Sequence, residues 1–198
     1  ENPYILLINK KLTSLKDLLP ILEQVHETSR PLLIVADDVD GDAMQGLVVN
    51  KLKGTLNVCA IRAPEFGESR VAALDDLGVL LGCEPLSSAS VEDDIRDMSI
   101  DDLGTCKKVV VNKSSTAFID CSGSDLEIKN RIQTIRASID DPGISSQEMQ
   151  VLLRRLNRLA GGVGVLRVGA ATEIALREKK DRVEDALCAT QAAVEEGI

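Results

Sequence analysis

An α/β fold built on a parallel sheet is the class this sequence predicts, and three observations predict it. Short apolar runs of four to eight residues recur along the first two thirds of the chain. Segments with helical apolar spacing separate them, the pattern of βαβ units. The composition is 44% apolar with one Tyr and two Phe among 198 residues, so a sizeable core is expected and it must be aliphatic.

The elements follow in order. "PYILLIN" (3–9) reads as a strand and "SLKDLLPILEQVHE" (14–27) as a helix. "PLLIVA" (31–36) is a second strand, followed by a helix over 42–53, a strand "NVCAIRA" (57–63) and a helix over 69–81. "CKKVVVNKSSTAFIDC" (106–121) reads as two antiparallel strands around a Lys-Ser turn. Two charged helices, 124–139 and 145–160, flank the breaker "DPG", and a strand "VGVLRVG" precedes a long helix over about 171–196. From these patterns residues 124–198 read as an arm of helices on a compact α/β body. The chain opens at Glu1 without Met, directly into strand-like sequence, and so reads as a piece of a longer polypeptide.

Composition excludes several function classes. The net charge of −9 disfavours nucleic-acid and anionic-membrane partners, which need basic patches. The scarcity of aromatic residues removes the platforms on which bases stack. Cys59, Cys83, Cys106, Cys121 and Cys188 show no C-x-x-C spacing, so neither a zinc site nor a disulfide framework is expected, and a reducing compartment is the default. No metal site is expected.

"RLAGGVGVLRVGAATE" (158–173) is rich in glycine, as phosphate cradles are. A P-loop places its glycines after a strand and before a helix, with Lys-Ser/Thr to follow. Here Gly161 and Gly162 follow a helix and no Gly-Lys-Ser/Thr occurs, so they are read as a helix C-cap. "DDVDGD" (37–42) fails the EF-hand spacing: counted from Asp38, Gly41 is fourth and the twelfth residue is Val49. Asp42 is read instead as favouring a helix start. His26, the single histidine, has no nucleophile motif near it, and hydrolytic triad chemistry is not expected.

The helices at 14–27 and 42–53 carry the more unusual signal. On a helical wheel Leu15, Leu18, Leu19, Ile21, Leu22 and Val25 span about 160°, and Ala43, Met44, Leu47, Val48, Val49 and Leu52 span about 240°. A helix lying on a sheet needs a stripe of only about 100°. The surplus is either covered by another element or exposed as a binding surface. Gln45, Asn50, Lys51 and Lys53 are interleaved with it, which is awkward for a fully buried helix. Asp185 lies opposite the apolar stripe of the last helix and by periodicity alone is a solvated acid.

"ENPYILLINKK", "RPLLIVADDVDGDAMQGLVVNKLKG", "APEFGESR", "RLAGGVGVLRVGAATE" and "DRVEDALCATQAAVEEGI" together resemble the group I chaperonins, the GroEL family, over essentially the whole chain. The resemblance implies a GroEL apical-domain-like swivelling β/β/α domain with a helical intermediate-domain segment at the C-terminus. Residues 1–160 would be an N-terminally incomplete apical domain and 161–198 the intermediate-domain segment, with Gly161 and Gly162 as the hinge. It implies that Leu19, Leu22, Met44, Leu47, Val48 and Val49 line an apolar groove for non-native polypeptides and for the mobile loop of a GroES-like co-chaperonin. It implies a catalytic role for Asp185 in hydrolysis of ATP with Mg, both bound in the longer parent protein and neither in this fragment. Identical or related subunits in a ring are the further partners implied, in the bacterial cytoplasm or in a plastid stroma or mitochondrial matrix. Glu65, Ser69, Met44 and Cys188 depart from the family's usual Gly, Arg, Leu and His, and Gly46 should weaken its helix by about 1 kcal/mol relative to Ala.

Two other classes fit parts of the pattern: a metal-dependent or small-molecule enzyme using the acidic loop at strand ends, and a purely structural oligomerisation domain. With no phosphate-cradling loop beside Asp185, the chain by itself is expected not to turn over ATP. Steady hydrolysis by a purified sample, abolished by Asp185→Ala, would place the nucleotide site within these residues.

Overall fold

The computed structural model describes residues 1–87, 91–113, 115–161 and 166–197. It divides into two compact units, Glu1–Val163 and Gly164–Ile198. In the first, the elements run β1 (Tyr4–Leu12), α1 (Leu15–Thr28), β2 (Leu32–Val39), α2 (Gly41–Leu52), β3 (Val58–Arg62), α3 (Gly67–Leu81), α4 (Val91–Asp97), a 3-10 turn at Ile100–Asp102, β4 (Gly104–Val111), β5 (Thr116–Cys121), α5 (Asp125–Ile139) and α6 (Ser146–Ala160). The second unit holds α7 (Glu173–Glu196).

The five strands form one sheet in the order β3-β2-β1-β4-β5. β1, β2 and β3 are parallel, with Tyr4 opposite Leu32 and Leu32 opposite Val58. β4 joins β1 antiparallel at Tyr4–Thr105 and Ile5–Gly104, and β5 closes the hairpin. The predicted α/β class with a parallel portion and an antiparallel hairpin is therefore the observed one.

The alternation of side chains along a strand explains how this sheet is buried. In β1, Tyr4, Leu6 and Ile8 face one core with Leu18, Ile21, Leu22 and Val25 of α1, Ala43 and Leu47 of α2, and Val91 and Ile95 of α4. Ile5 and Leu7 face a second core with Leu74 and Leu81 of α3 and Cys106 of β4. Two-sided burial is why the first strands read as nearly continuous apolar runs instead of alternating ones.

Three readings of the sequence change. The helical pair α5–α6 is not part of an arm, because it is anchored on α3. Asp76, buried in α3, accepts from Arg131 Nε of α5 at 2.7 Å and from Arg155 Nε and Nη2 of α6 at 2.7 and 2.9 Å. The Asp76 carboxylate, through these hydrogen bonds, raises the pKa of Arg155. Helix α4 was not anticipated; it packs along α1, where Arg96 pairs with Asp17. The strand expected at 163–169 is absent at Leu166–Gly169, while 163–165 lie outside the described residues.

Glu65 and Gly46 each sit at a locally constrained position. Glu65 holds φ at +64°, a conformation glycine adopts freely, and its carboxylate accepts from Arg158 Nη2 at 2.9 Å. Gly46 lies where α2 meets α1: a Cβ there would come within 2.3 Å of Leu15 Cδ2. The glycine that costs helix propensity is what lets Leu15 sit against α2.

Removing Asp76 leaves two arginines facing each other over a buried site, and breaking such a pair typically costs about 3–5 kcal/mol. Asp76→Ala is expected to lower the unfolding free energy of the first unit, read from urea denaturation, by an amount in that range. A change below about 0.5 kcal/mol, the level of surface substitutions, would show that α5–α6 docks without this contact.

Candidate polypeptide-binding surface

Helices α1 and α2 follow β1 and β2, and both cover the same face of the sheet. Their inward residues anchor them, and their outward residues decide what the face can do. On α1 the outward apolar residue is Leu19; on α2 they are Met44, Val48, Val49 and Leu52. Leu19, Met44, Val48 and Val49 are 40–46% exposed and Leu52 is 82% exposed. The surplus apolar arc is thus open to solvent, not covered by another element.

Two of the expected groove residues lie elsewhere. Leu22 is 3% exposed and Leu47 4%, and both belong to the core beneath the helices. Helical periodicity puts Leu22 beside Leu19 and Leu47 beside Met44, but the sheet below captures the inward member of each pair. The interleaved polar residues of α2 find local partners. Asn50 Nδ2 donates to the Gly46 carbonyl at 2.9 Å and Lys51 Nζ to the Val58 carbonyl at 2.9 Å.

The acidic stretch before α2 is an ion-paired cap. Asp40 is the N-cap of α2, accepting from the Gly41 N–H at 2.7 Å; Asp42, expected to start the helix, lies in its first turn. Lys11 pairs with Asp40 at 3.2 Å and Asp38 at 3.6 Å, Arg62 with Asp38 at 3.1 Å, and Arg70 with Asp37. The Gly41 amide, then Lys11, holds the Asp40 carboxyl below its ordinary value of 3.8, and Arg62 does the same for Asp38. These acids face cations of the chain itself. Among the described residues no group of three His, Cys, Asp or Glu is placed to hold a metal ion. His26 is exposed near the end of α1, its Nδ1 2.9 Å from the Thr55 carbonyl oxygen.

Gly161 follows α6 as its C-cap, donating to the Asn157 carbonyl at 2.9 Å. Its φ of −80° is not left-handed, and glycine fits there because a Cβ would lie 2.4 Å from the Asn157 oxygen. Gly162 lies outside the described residues. In the second unit Asp185 is exposed on α7, whose N-cap Thr172 accepts from the Ala175 N–H at 3.2 Å.

The sequence matches the TCP-1/cpn60 chaperonin family over residues 6–198. The chain belongs to this family. Its fold is similar to that of the chaperonin gp146 from the bacteriophage EL 2 (Pseudomonas aeruginosa), crystallised in the presence of ATP-BeFx, with a TM-score of 0.70 and 19% identity. That match covers 98% of this chain and 38% of the phage protein, so the present chain spans well under half the length of that chaperonin. The exposed helix pair α1–α2 is therefore a feature of a chaperonin segment. The apolar arc showed that α1 and α2 carry more than a sheet can cover, and the family resemblance singled out Leu19, Met44, Val48 and Val49 within it; Leu52 was on the same wheel but was not singled out.

The carboxylates of Asp38 and Asp40 are depressed in the folded chain, so they bind protons less readily there than when unfolded. Their contribution is present above the ordinary value of 3.8 and is lost as pH falls through the lower folded values. An acid titration followed by NMR should show the Gly41 amide shifting with an apparent pKa below 3.8, together with fraying of the α2 N-terminus. An apparent pKa at or above the ordinary value would remove the capping role.

Proposed function

We propose that this chain is the polypeptide-binding part of an ATP-driven folding chaperonin, capturing non-native chains on the aliphatic surface of α1 and α2. The observation that carries the reading is the exposure of Leu19, Met44, Val48, Val49 and Leu52 on helices whose other faces are tightly buried. Contacts of this kind are unoriented and tolerate many client sequences, whereas a pocket of hydrogen-bonding groups would select one. A contiguous apolar patch on an otherwise acidic chain fits a binding surface.

The same surface is proposed to take the mobile loop of a GroES-like co-chaperonin, so that client and co-chaperonin compete. Residues 1–160 then correspond to the apical domain and 161–198 to the intermediate-domain segment, with Gly161 and Gly162 as the hinge. Asp185 is proposed to assist hydrolysis at a site for ATP and Mg built mostly from the rest of a longer protein. Ring assembly with identical or related subunits belongs to this reading. So does a reducing compartment, the bacterial cytoplasm or an organelle interior, to which five free cysteines are suited.

Burial divides the test variants into two sets. Leu19→Ser, Val48→Ser and Val49→Glu alter exposed positions and should shift stability by under about 0.5 kcal/mol while weakening capture of a denatured client. Leu22→Ser and Leu47→Ser remove core side chains and should cost about 2–5 kcal/mol. Urea midpoints and binding of a fluorescent unfolded protein check both sets. Normal client binding by the three stable variants would make the surface inert and defeat the reading.

A further inference from the structure

We propose that Cys106 and Cys121 form a reversible cross-strand disulfide, an oxidative modification site independent of the polypeptide-binding surface. Cys106 of β4 lies directly opposite Cys121 of β5 in the antiparallel register. The Ser122 N–H donates to the Thr105 carbonyl at 3.2 Å, so the bracketing hydrogen bond lies one residue outside the cysteine pair. That pattern makes Cys106 and Cys121 a non-hydrogen-bonded pair, whose Cα atoms stand about 4.5 Å apart with side chains on the same face. Disulfides span Cα separations of about 4.4–6.8 Å, so a directly opposed pair of this class lies within bonding range.

The surroundings set the order of events. Cys106 is buried, and Cys121 is partly exposed against the same core, so Cys121 is the sulfur that meets a dissolved oxidant first. Burial pushes the Cys121 thiol up to about 11, with the neighbouring Cys106 adding to the rise, and burial raises Cys106 as well. Thiolate is therefore scarce near neutrality, the pair rests as a dithiol, and its oxidation is slow. With a small-molecule disulfide such as oxidised glutathione as oxidant, the Cys121 thiolate attacks one sulfur and expels a glutathione thiolate. The Cys106 thiolate then attacks the Cys121 sulfur of the mixed disulfide and expels the second. The two cysteine protons pass to the two glutathione thiolates, and the two electrons lost by the cysteines reduce the glutathione disulfide. The product staples the β4–β5 hairpin, which meets β1 at Tyr4 and Ile5 and accepts a further hydrogen bond from the Asn2 N–H at the Lys107 carbonyl.

The test uses the 198-residue chain carrying Cys188→Ser, which removes the exposed thiol of α7. It is incubated with oxidised glutathione at mildly alkaline pH, alkylated, and digested with trypsin without reduction. The expected product is peptide 97–107 linked to peptide 114–129, released by dithiothreitol and missing when Cys121→Ser is added. The oxidised chain should also show a higher urea midpoint than the reduced one. Full alkylation of Cys106 and Cys121, a glutathione adduct that persists on Cys121, a link from Cys106 to Cys83, or a midpoint that falls on oxidation would each overturn the proposal.

Discussion

Everything else in the first unit depends on burying both faces of β1. Its successive side chains enter two different cores, Tyr4, Leu6 and Ile8 on one side and Ile5 and Leu7 on the other. A strand buried on both faces must have helices above it and helices or a hairpin below. Parallel pairing with β2 and β3 requires crossovers, and these place α1 and α2 together on one face. That leaves α3 and the β4–β5 hairpin to close the second core. The position of the candidate surface thus follows from how the sheet is covered, before any functional residue is considered.

The two covering helices differ in how much of their apolar arc the sheet can take. Leu18, Ile21, Leu22 and Val25 of α1 are buried, whereas α2 buries only Ala43 and Leu47. Gly46 lets Leu15 pack directly against α2, so the helices approach each other at the cost of helix propensity. The remaining Met44, Val48, Val49 and Leu52 are left exposed among the described residues. A folded chain leaves such residues outward only at the expense of solubility, which the net charge of −9 helps to maintain.

The far side is organised by charge. Asp76 draws Arg131 and Arg155 from two helices that are distant in sequence, which makes α5 and α6 part of the body. Their own sequences are strongly charged and would read as a solvated hairpin without this buried partner. The capping box at Ser145 and Glu148 fixes where α6 begins, with Glu148 held below its ordinary value by the Ser145 hydroxyl and amide.

Sequence pattern alone put a strand at 163–169 that is absent at Leu166–Gly169, but it placed the elements of the α/β body to within a few residues, α4 excepted, and showed the apolar surplus on α1 and α2. These are local quantities, written in side-chain period and in breakers such as "DPG". It also carried the chaperonin resemblance, because that is a match of ordered motifs and needs no coordinates. Which members of the surplus face solvent depends on how the helices seat on the sheet. Leu19 and Leu22 are alike on a helical wheel, and the sheet beneath selects between them. Only the tertiary structure showed that Asp76 is a hub, since its two arginine partners lie 55 and 79 residues away. The same holds for the facing of Cys106 and Cys121, because strand register depends on hydrogen bonds across the hairpin and not on spacing along the chain.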